Sequence, residues 1–330
     1  MARGIASRRV EETPIAIVDF ETTGLNAGTD RVVEVSVMRL DPGTGPKLVL
    51  DTLVNPDRNV AATEIHGITD ADVVDAPRFA DIAGEMARAI SDCVVAAYNV
   101  YFDMRFFEYE MKRAGIADTP PHFCLMYMRP MLGLGRRCRL GEACSEHGIT
   151  YDERHIAAED VDASARLLNV YLEEMRAREI RTFRDLAKLR NYKFVRSFDW
   201  NPILPEAIAE LPGCDCLKSR LCICQSSVAD TETVDSRKTP RKANTALGFY
   251  WEALKVAVAD LEITEEEVEH LREIAQRHGL APEQVRVLHA RAFASVISQF
   301  IDDQWLDDKE SRKLKRLHQC LSKLGWAPGE

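Results

Sequence analysis

The run Pro14 to Phe20, PIAIVDF, constrains this chain more than any other stretch. Its continuous apolar character predicts a buried strand, stopped by Thr22-Thr23-Gly24. Yet the strand closes on Asp19 and Glu21. Residues two apart in a strand project from one face, so these carboxylates converge while Phe20 points into the opposite layer. Two acids ending an apolar strand repel each other and resist burial. Either a divalent cation relieves that cost, or the strand end is exposed and both acids are solvated. The pair alone favours neither.

Around this strand the chain alternates short β-rich runs with helical ones. Val32 to Leu40 and Leu48 to Val54 read as strands divided by the turn-forming DPGTGP. Phe79, Ile82, Met86 and Ile90 recur at helical spacing over Arg78–Ile90, and CVVAA (Cys93–Ala97) reads as another short strand. Helices are expected from Asp103 to Ala114, stopped by Gly115, then over Leu140–Glu146 and Glu159–Arg176. Such an order predicts a mixed sheet with helices packed on it, an α/β fold.

With 330 residues the chain is long enough for two domains. Residues 1–180 form the first. In 181–246 the pattern breaks: 181–196 is basic and interleaved with Phe183, Tyr192 and Phe194, then 226–245 is polar without apolar periodicity and reads as a linker. The basic stretch is expected as an amphipathic helix with Phe183, Leu186 and Leu189 inward. The competing reading is an extended single-strand path. Residues 247–330 are strongly helical and carry an internal repeat offset by 43 residues, pairing Asp260 with Asp303, Ile263 with Leu306, Glu267 with Glu310, Leu271 with Leu314 and Ile274 with Leu317. Two related helical hairpins burying those apolar positions would make a second, all-α domain.

Composition narrows the class. At 46% hydrophobic and 29% charged residues, disorder of the whole chain is excluded, and no apolar run is long enough for a membrane span. Glu11 and Glu12 stand where a signal peptide needs apolar residues, so a cytoplasmic protein without membrane contact is expected. The net charge of −10 has the wrong sign for coating nucleic acid by bulk attraction. The acid is concentrated in residues 1–180, which hold 20 basic and 30 acidic side chains.

Two further polar groups stand out. Asn99 and Asp103 lie in YNVYFD, after a buried strand and at a helix start, where Asp103 alone would be a cap. His155 and Asp160 open the last helix of the segment, where each alone has an ordinary surface role. Taken together, DFETTG, N-x3-D and H-x4-D in this order resemble the DnaQ-like 3′→5′ exonucleases of the DEDD superfamily, the family of the DNA polymerase III epsilon subunit. The likeness covers about residues 13–175 and extends to Ile65-His66-Gly67-Ile68-Thr69 and to Arg139-Leu140-Gly141-Glu142.

That resemblance implies a ribonuclease H-like fold and a 3′→5′ exonuclease releasing 5′-mononucleotides. Asp19, Glu21, Asp103 and Asp160 would hold two Mg²⁺ or Mn²⁺ ions about the scissile phosphate, and His155 would be the general base. Ile156 stands where the tyrosine branch of the superfamily has its tyrosine, so the histidine branch fits. Thr22, Thr23 and Leu25 would line the terminal nucleotide, with His66 and Asn99 as further contacts. Tyr98 departs from the histidine usual before the Asn of the second motif, which implies different local packing. Arg129, Arg136, Arg137 and Arg139 read either as phosphate contacts or as a solvated loop. The expected substrate is a single-stranded or frayed 3′ end of DNA, with RNA as the alternative.

Nine cysteines without an evident leader are expected to be reduced. Cys214, Cys216, Cys222 and Cys224 form C-x-C-x5-C-x-C, a candidate for structural Zn²⁺, against a free-thiol loop or a redox pair. The repeat D-x2-[IL]-x3-E with Phe249-Tyr250-Trp251 resembles the TerB-like (tellurite-resistance) helical domain, which implies a scaffold for a protein partner. Thr264-x-x-Glu267 and Asp307-x-x-Glu310 also read as capping boxes. The alternative to catalysis is a silent scaffold that binds 3′ ends and recruits partners through these helices. It requires a damaged acid set, which the sequence does not show.

Overall fold

The computed structural model describes residues 4–152, 156–203, 245–258, 264–298 and 308–326. His155 and the four cysteines from Cys214 to Cys224 lie outside them, as do Asp260, Ile263, Asp303, Leu306 and Asp307. Among the described residues no helix is long and apolar enough to cross a membrane.

A mixed five-stranded sheet runs in the order β3-β2-β1-β4-β5. Its strands are β1 (Ile15–Thr22), β2 (Val32–Leu40), β3 (Lys47–Leu53), β4 (Val94–Ala97) and β5 (His122–Cys124). β4 pairs parallel with β1 and with β5, whereas β2 and β3 form an antiparallel pair with an irregularity at Val37/Met38. Residues 32–38 of β2 are buried without a break, so both faces of the sheet are covered there. The helices, in chain order, are α1 (Thr63–His66), α2 (Asp70–Val73), α3 (Phe79–Ala89), α4 (Val100–Arg113), α5 (Leu125–Met131), α6 (Leu140–Glu146), α7 (Ala157–Ala177) and α8 (Phe183–Leu189). Of these, α3 and α7 pack on β2 and β3.

Two expectations shift. The helix expected from Asp103 begins at Val100, so Asp103 sits inside its first turn and Asn99 takes the cap position. In α8, Phe183 and Leu186 are buried but Leu189 is 43% exposed, because the helix ends there and a 3₁₀ turn over Lys193–Asp199 takes over the packing. Phe194 and Phe198 are buried beside Phe183, and Tyr192 packs edge-on against Tyr127 at 4.6 Å. These rings are engaged in packing, which leaves them poorly placed to stack on bases.

Contacts divide the chain into two compact units: Met1–Glu21, Val32–Val60 and Ile68–Arg241 in one, Thr22–Arg31, Ala61–Gly67 and Lys242–Glu330 in the other. The second is built on α9 (Thr245–Val258), α10 (Glu265–Arg277), α11 (Pro282–Ser298) and α12 (Asp308–Lys323). Its core joins Tyr250, Trp251 and Leu254 to Val268, Leu271 and Ile274, and to Leu288, Leu317 and Leu321. Thr264 and Glu267 close the expected capping box: the Thr264 amide donates to Glu267 Oε2 at 2.8 Å, and the Glu267 amide donates to Thr264 Oγ1 at 3.2 Å.

Candidate active site

Strand alternation does what the sequence implies at the end of β1. Val18 and Phe20 are buried, while Asp19 and Glu21 are half-buried on the opposite face. Asp160, in the first turn of α7, meets them: one ligand oxygen from each of Asp19, Glu21 and Asp160 lies within 4.8 Å of the other two. Three hard oxygen donors converging at this spacing repel one another, and a divalent cation fits the donor set and relieves the repulsion.

Asp103 is not part of that trio. It is buried, and its Oδ1 accepts from the Phe20 amide at 3.2 Å, on β1 between Asp19 and Glu21. Taken alone in the sequence Asp103 reads as a helix cap, and the family resemblance makes it a fourth metal ligand; the structure ties it to the strand that carries the other acids. Asn99 caps α4 without a side-chain capping bond, and its Oδ1 is buried with no hydrogen-bond partner. An unmet buried acceptor is costly, and a ligand donor would offset the cost.

The remaining candidates lie in the second unit. The Thr22 hydroxyl donates to the Gly24 carbonyl at 2.6 Å, and the Thr23 hydroxyl donates to Asp30 Oδ1 at 3.2 Å. Asp30 also accepts from the Asn26 amide at 3.0 Å. A Cβ at residue 24 would stand 2.4 Å from Asp30 Oδ2, which explains the glycine after the two threonines. Leu25 packs against the helical core. His66 ends α1 and is 1% exposed, its Nε2 donating to the Ala61 carbonyl at 3.1 Å.

The arginine cluster largely turns inward. Arg129 is buried, paired with Glu146 and donating to the Arg136 carbonyl at 2.8 Å. Arg139 pairs with Glu142 at 3.1 Å, and Arg137 donates to the Tyr127 hydroxyl at 3.0 Å while lying over its ring. Arg136 alone of the four is exposed. Tyr98, the departure from the family pattern, donates its hydroxyl to the Cys138 carbonyl at 2.6 Å, fastening the end of β4 to this arginine-rich segment. Burial pushes the Tyr98 hydroxyl well above its ordinary range, so it stays a neutral donor.

Two residues that sequence reasoning passed over support the acids. Tyr151 donates its hydroxyl to Asp160 Oδ1 at 2.6 Å. Glu34, buried in β2, accepts from the Ala157 amide at 3.3 Å and so anchors the start of the helix that carries Asp160. Glu34 had a signal, a carboxylate within the apolar run VVEVSV. Tyr151 had none, since only the fold brings residue 151 to residue 160. The five described cysteines, Cys93, Cys124, Cys138, Cys144 and Cys320, are buried and outside any disulfide, and burial pushes the Cys93 and Cys124 thiols up to about 12.

Residues 16–168 match the Exonuclease (RNase_T) family model. The DNA polymerase III subunit epsilon of Treponema pallidum is 30% identical over 168 residues, 49% of this chain and 78% of that protein. The DNA polymerase III subunit epsilon-like protein of Rhodobacter capsulatus is 31% identical over 186 residues, 54% of this chain and 26% of that one. The DNA polymerase III PolC-type of Lactococcus lactis is 29% identical over 171 residues, 51% of this chain. The match spans only 10% of the PolC-type relative's length.

Proposed function

The chain belongs to the DnaQ-like exonuclease family, and from that premise we propose that it is a metal-dependent 3′→5′ exonuclease releasing 5′-mononucleotides from single-stranded or frayed DNA 3′ ends in the cytoplasm. The observation that carries this reading is the convergence of Asp19, Glu21 and Asp160. In it, these acids and Asp103 hold two Mg²⁺ or Mn²⁺ ions. Bound there, such cations supply positive charge that offsets the charge of a phosphodiester at its cleavage.

The chain's own residues do the rest. His155 accepts the proton of the attacking water, since a neutral imidazole is a competent base near pH 7. Thr22, Thr23 and Leu25 hold the terminal nucleotide, and His66 and Asn99 flank it. The buried, unpartnered Asn99 Oδ1 supports a donor arriving with the substrate. The inward arginines leave Arg136 as the cluster's remaining phosphate contact in this reading, which suits capture of one strand end better than coating of a duplex.

The test is a labelled single strand incubated with the protein and Mn²⁺. Stepwise loss of 5′-mononucleotides is expected, abolished by EDTA and reduced at least about a thousandfold by Asp19→Ala or His155→Ala. An intact strand after prolonged incubation of the wild-type protein, on DNA and RNA alike, sinks the proposal.

A further inference from the structure

The helical unit takes in two segments that lie within the matched exonuclease region. Ala62 and Ile65, at 6% and 3% exposure, belong to the same apolar core as Trp251, Leu254, Leu271 and Leu288, and Leu25 packs against that core. Glu64 Oε1 pairs with Arg291 Nη1 on α11 at 2.6 Å. Burial alone would raise the Glu64 carboxyl, but its own backbone amide and Arg291 hold it below the usual carboxylate range.

The segment Ala61–Gly67 cannot shape itself. Its helix, α1, is one turn of four residues, far below the length at which an isolated helix holds in water. It is bracketed by two left-handed residues, Ala62 with φ 62° and Gly67 with φ 72°. Ala62 adopts that conformation at a steric cost, so its surroundings must enforce it. What surrounds it is the core of α9–α12. The His66 imidazole is bonded back to Ala61 within this segment, next in the chain to the core residue Ile65.

We propose that helices α9–α12 are a working part of 3′-end binding, with Ile65 and the Glu64–Arg291 pair acting as positioning residues for the segment that presents His66, and the same core steadying Leu25. The inference rests on the reading above, in which Leu25 and His66 touch the terminal nucleotide. It assigns the helical unit a role in grip on the strand end. The hydrolytic step is left to the acids.

The experiment uses the full chain with Arg291→Glu, Glu64→Arg and the double reversal. Affinity for a fluorescent oligonucleotide with a free 3′-hydroxyl is measured by anisotropy in Ca²⁺ buffer, and hydrogen exchange is followed over residues 61–67. Each single variant is expected to weaken binding about three- to tenfold and speed exchange, with the double reversal restoring both. On active enzyme the loss appears in KM while kcat stays within about twofold. The two singles change net charge in opposite directions, so an effect of bulk charge would weaken one and strengthen the other. That outcome overturns the proposal, as does unchanged affinity in both singles, with or without a change in exchange. A wild-type protein that binds the oligonucleotide but cuts nothing defeats the hydrolase reading alone, and the affinities still decide this one.

Discussion

Tyr151 shows how a single hydroxyl can set the quality of a carboxylate site. Its 2.6 Å bond helps to orient the Asp160 carboxylate beside Asp19 and Glu21, against the repulsion among the three acids. Tyr151→Phe is expected to raise the Mn²⁺ concentration for half-maximal activity about tenfold while the circular dichroism spectrum stays unchanged. An unaltered metal dependence would mean that Asp160 is held by other contacts. Asp103 carries a different lesson at this scale. Its position near a predicted helix start made a cap the natural reading, yet Val100, Tyr101 and Phe102 extend the helix by a turn toward its N-terminus. The side chain is thereby turned to the Phe20 amide, a partner 83 residues away that no local pattern can reveal. Asp19 and Glu21 were legible because a period of two needs no partner at all.

At the scale of elements, α11 carries a buried titratable group. His289 is 1% exposed, its Nε2 lies 2.8 Å from the Tyr250 hydroxyl, and its Nδ1 is buried without a partner. Burial disfavours the charged imidazole and lowers its pKa from 6.5 to about 4. Between those values the unfolded chain binds a proton that the folded unit refuses, so stability rises with pH across this window and is lost on acidification. Full contribution is present above pH 6.5, and on the order of 3 kcal/mol disappears on approaching pH 4. Denaturation of the helical unit at pH 7 and pH 5 should show this slope, and His289→Gln should flatten it. Equal slopes in the two proteins would refute the assignment. Elements also mark where sequence patterns fail. β2 runs from Val32 to Leu40 as its apolar run predicts. β5, with three residues, is too short to display a period, and it exists because β4 offers it a parallel edge. The four-residue α1 is legible neither as a helix nor as part of the helical unit, since both properties come from the core into which Ile65 packs.

For the whole molecule, the excess of acid changes meaning once the chain is folded. Of the 30 acidic side chains in residues 1–180, three converge, and a cation bound to them would stabilise the folded state by mass action. Mn²⁺ at about a hundred times its dissociation constant should stabilise the protein by about 2.7 kcal/mol, read as a higher unfolding temperature that EDTA reverses and Asp19→Ala abolishes. An equal upward shift in the Asp19→Ala variant would place the ion elsewhere. Local sequence by itself determined the elements that depend on short-range periodicity: the strand with its paired acids, the alternation that makes an α/β sheet, the capping box that opens α10, and the ordered motifs that place the chain in its family. Tertiary structure alone decided which acids meet, how Asp103 is held, that Arg129 and Arg139 are internal braces, and that Leu25 and Ile65 pack with helices that begin only at Thr245. The physical reason is range. Dihedral preference and apolar period act over a few residues, whereas carboxylate convergence, the Glu64–Arg291 ion pair and enforcement of a strained Ala62 depend on groups that only packing brings within a few ångströms.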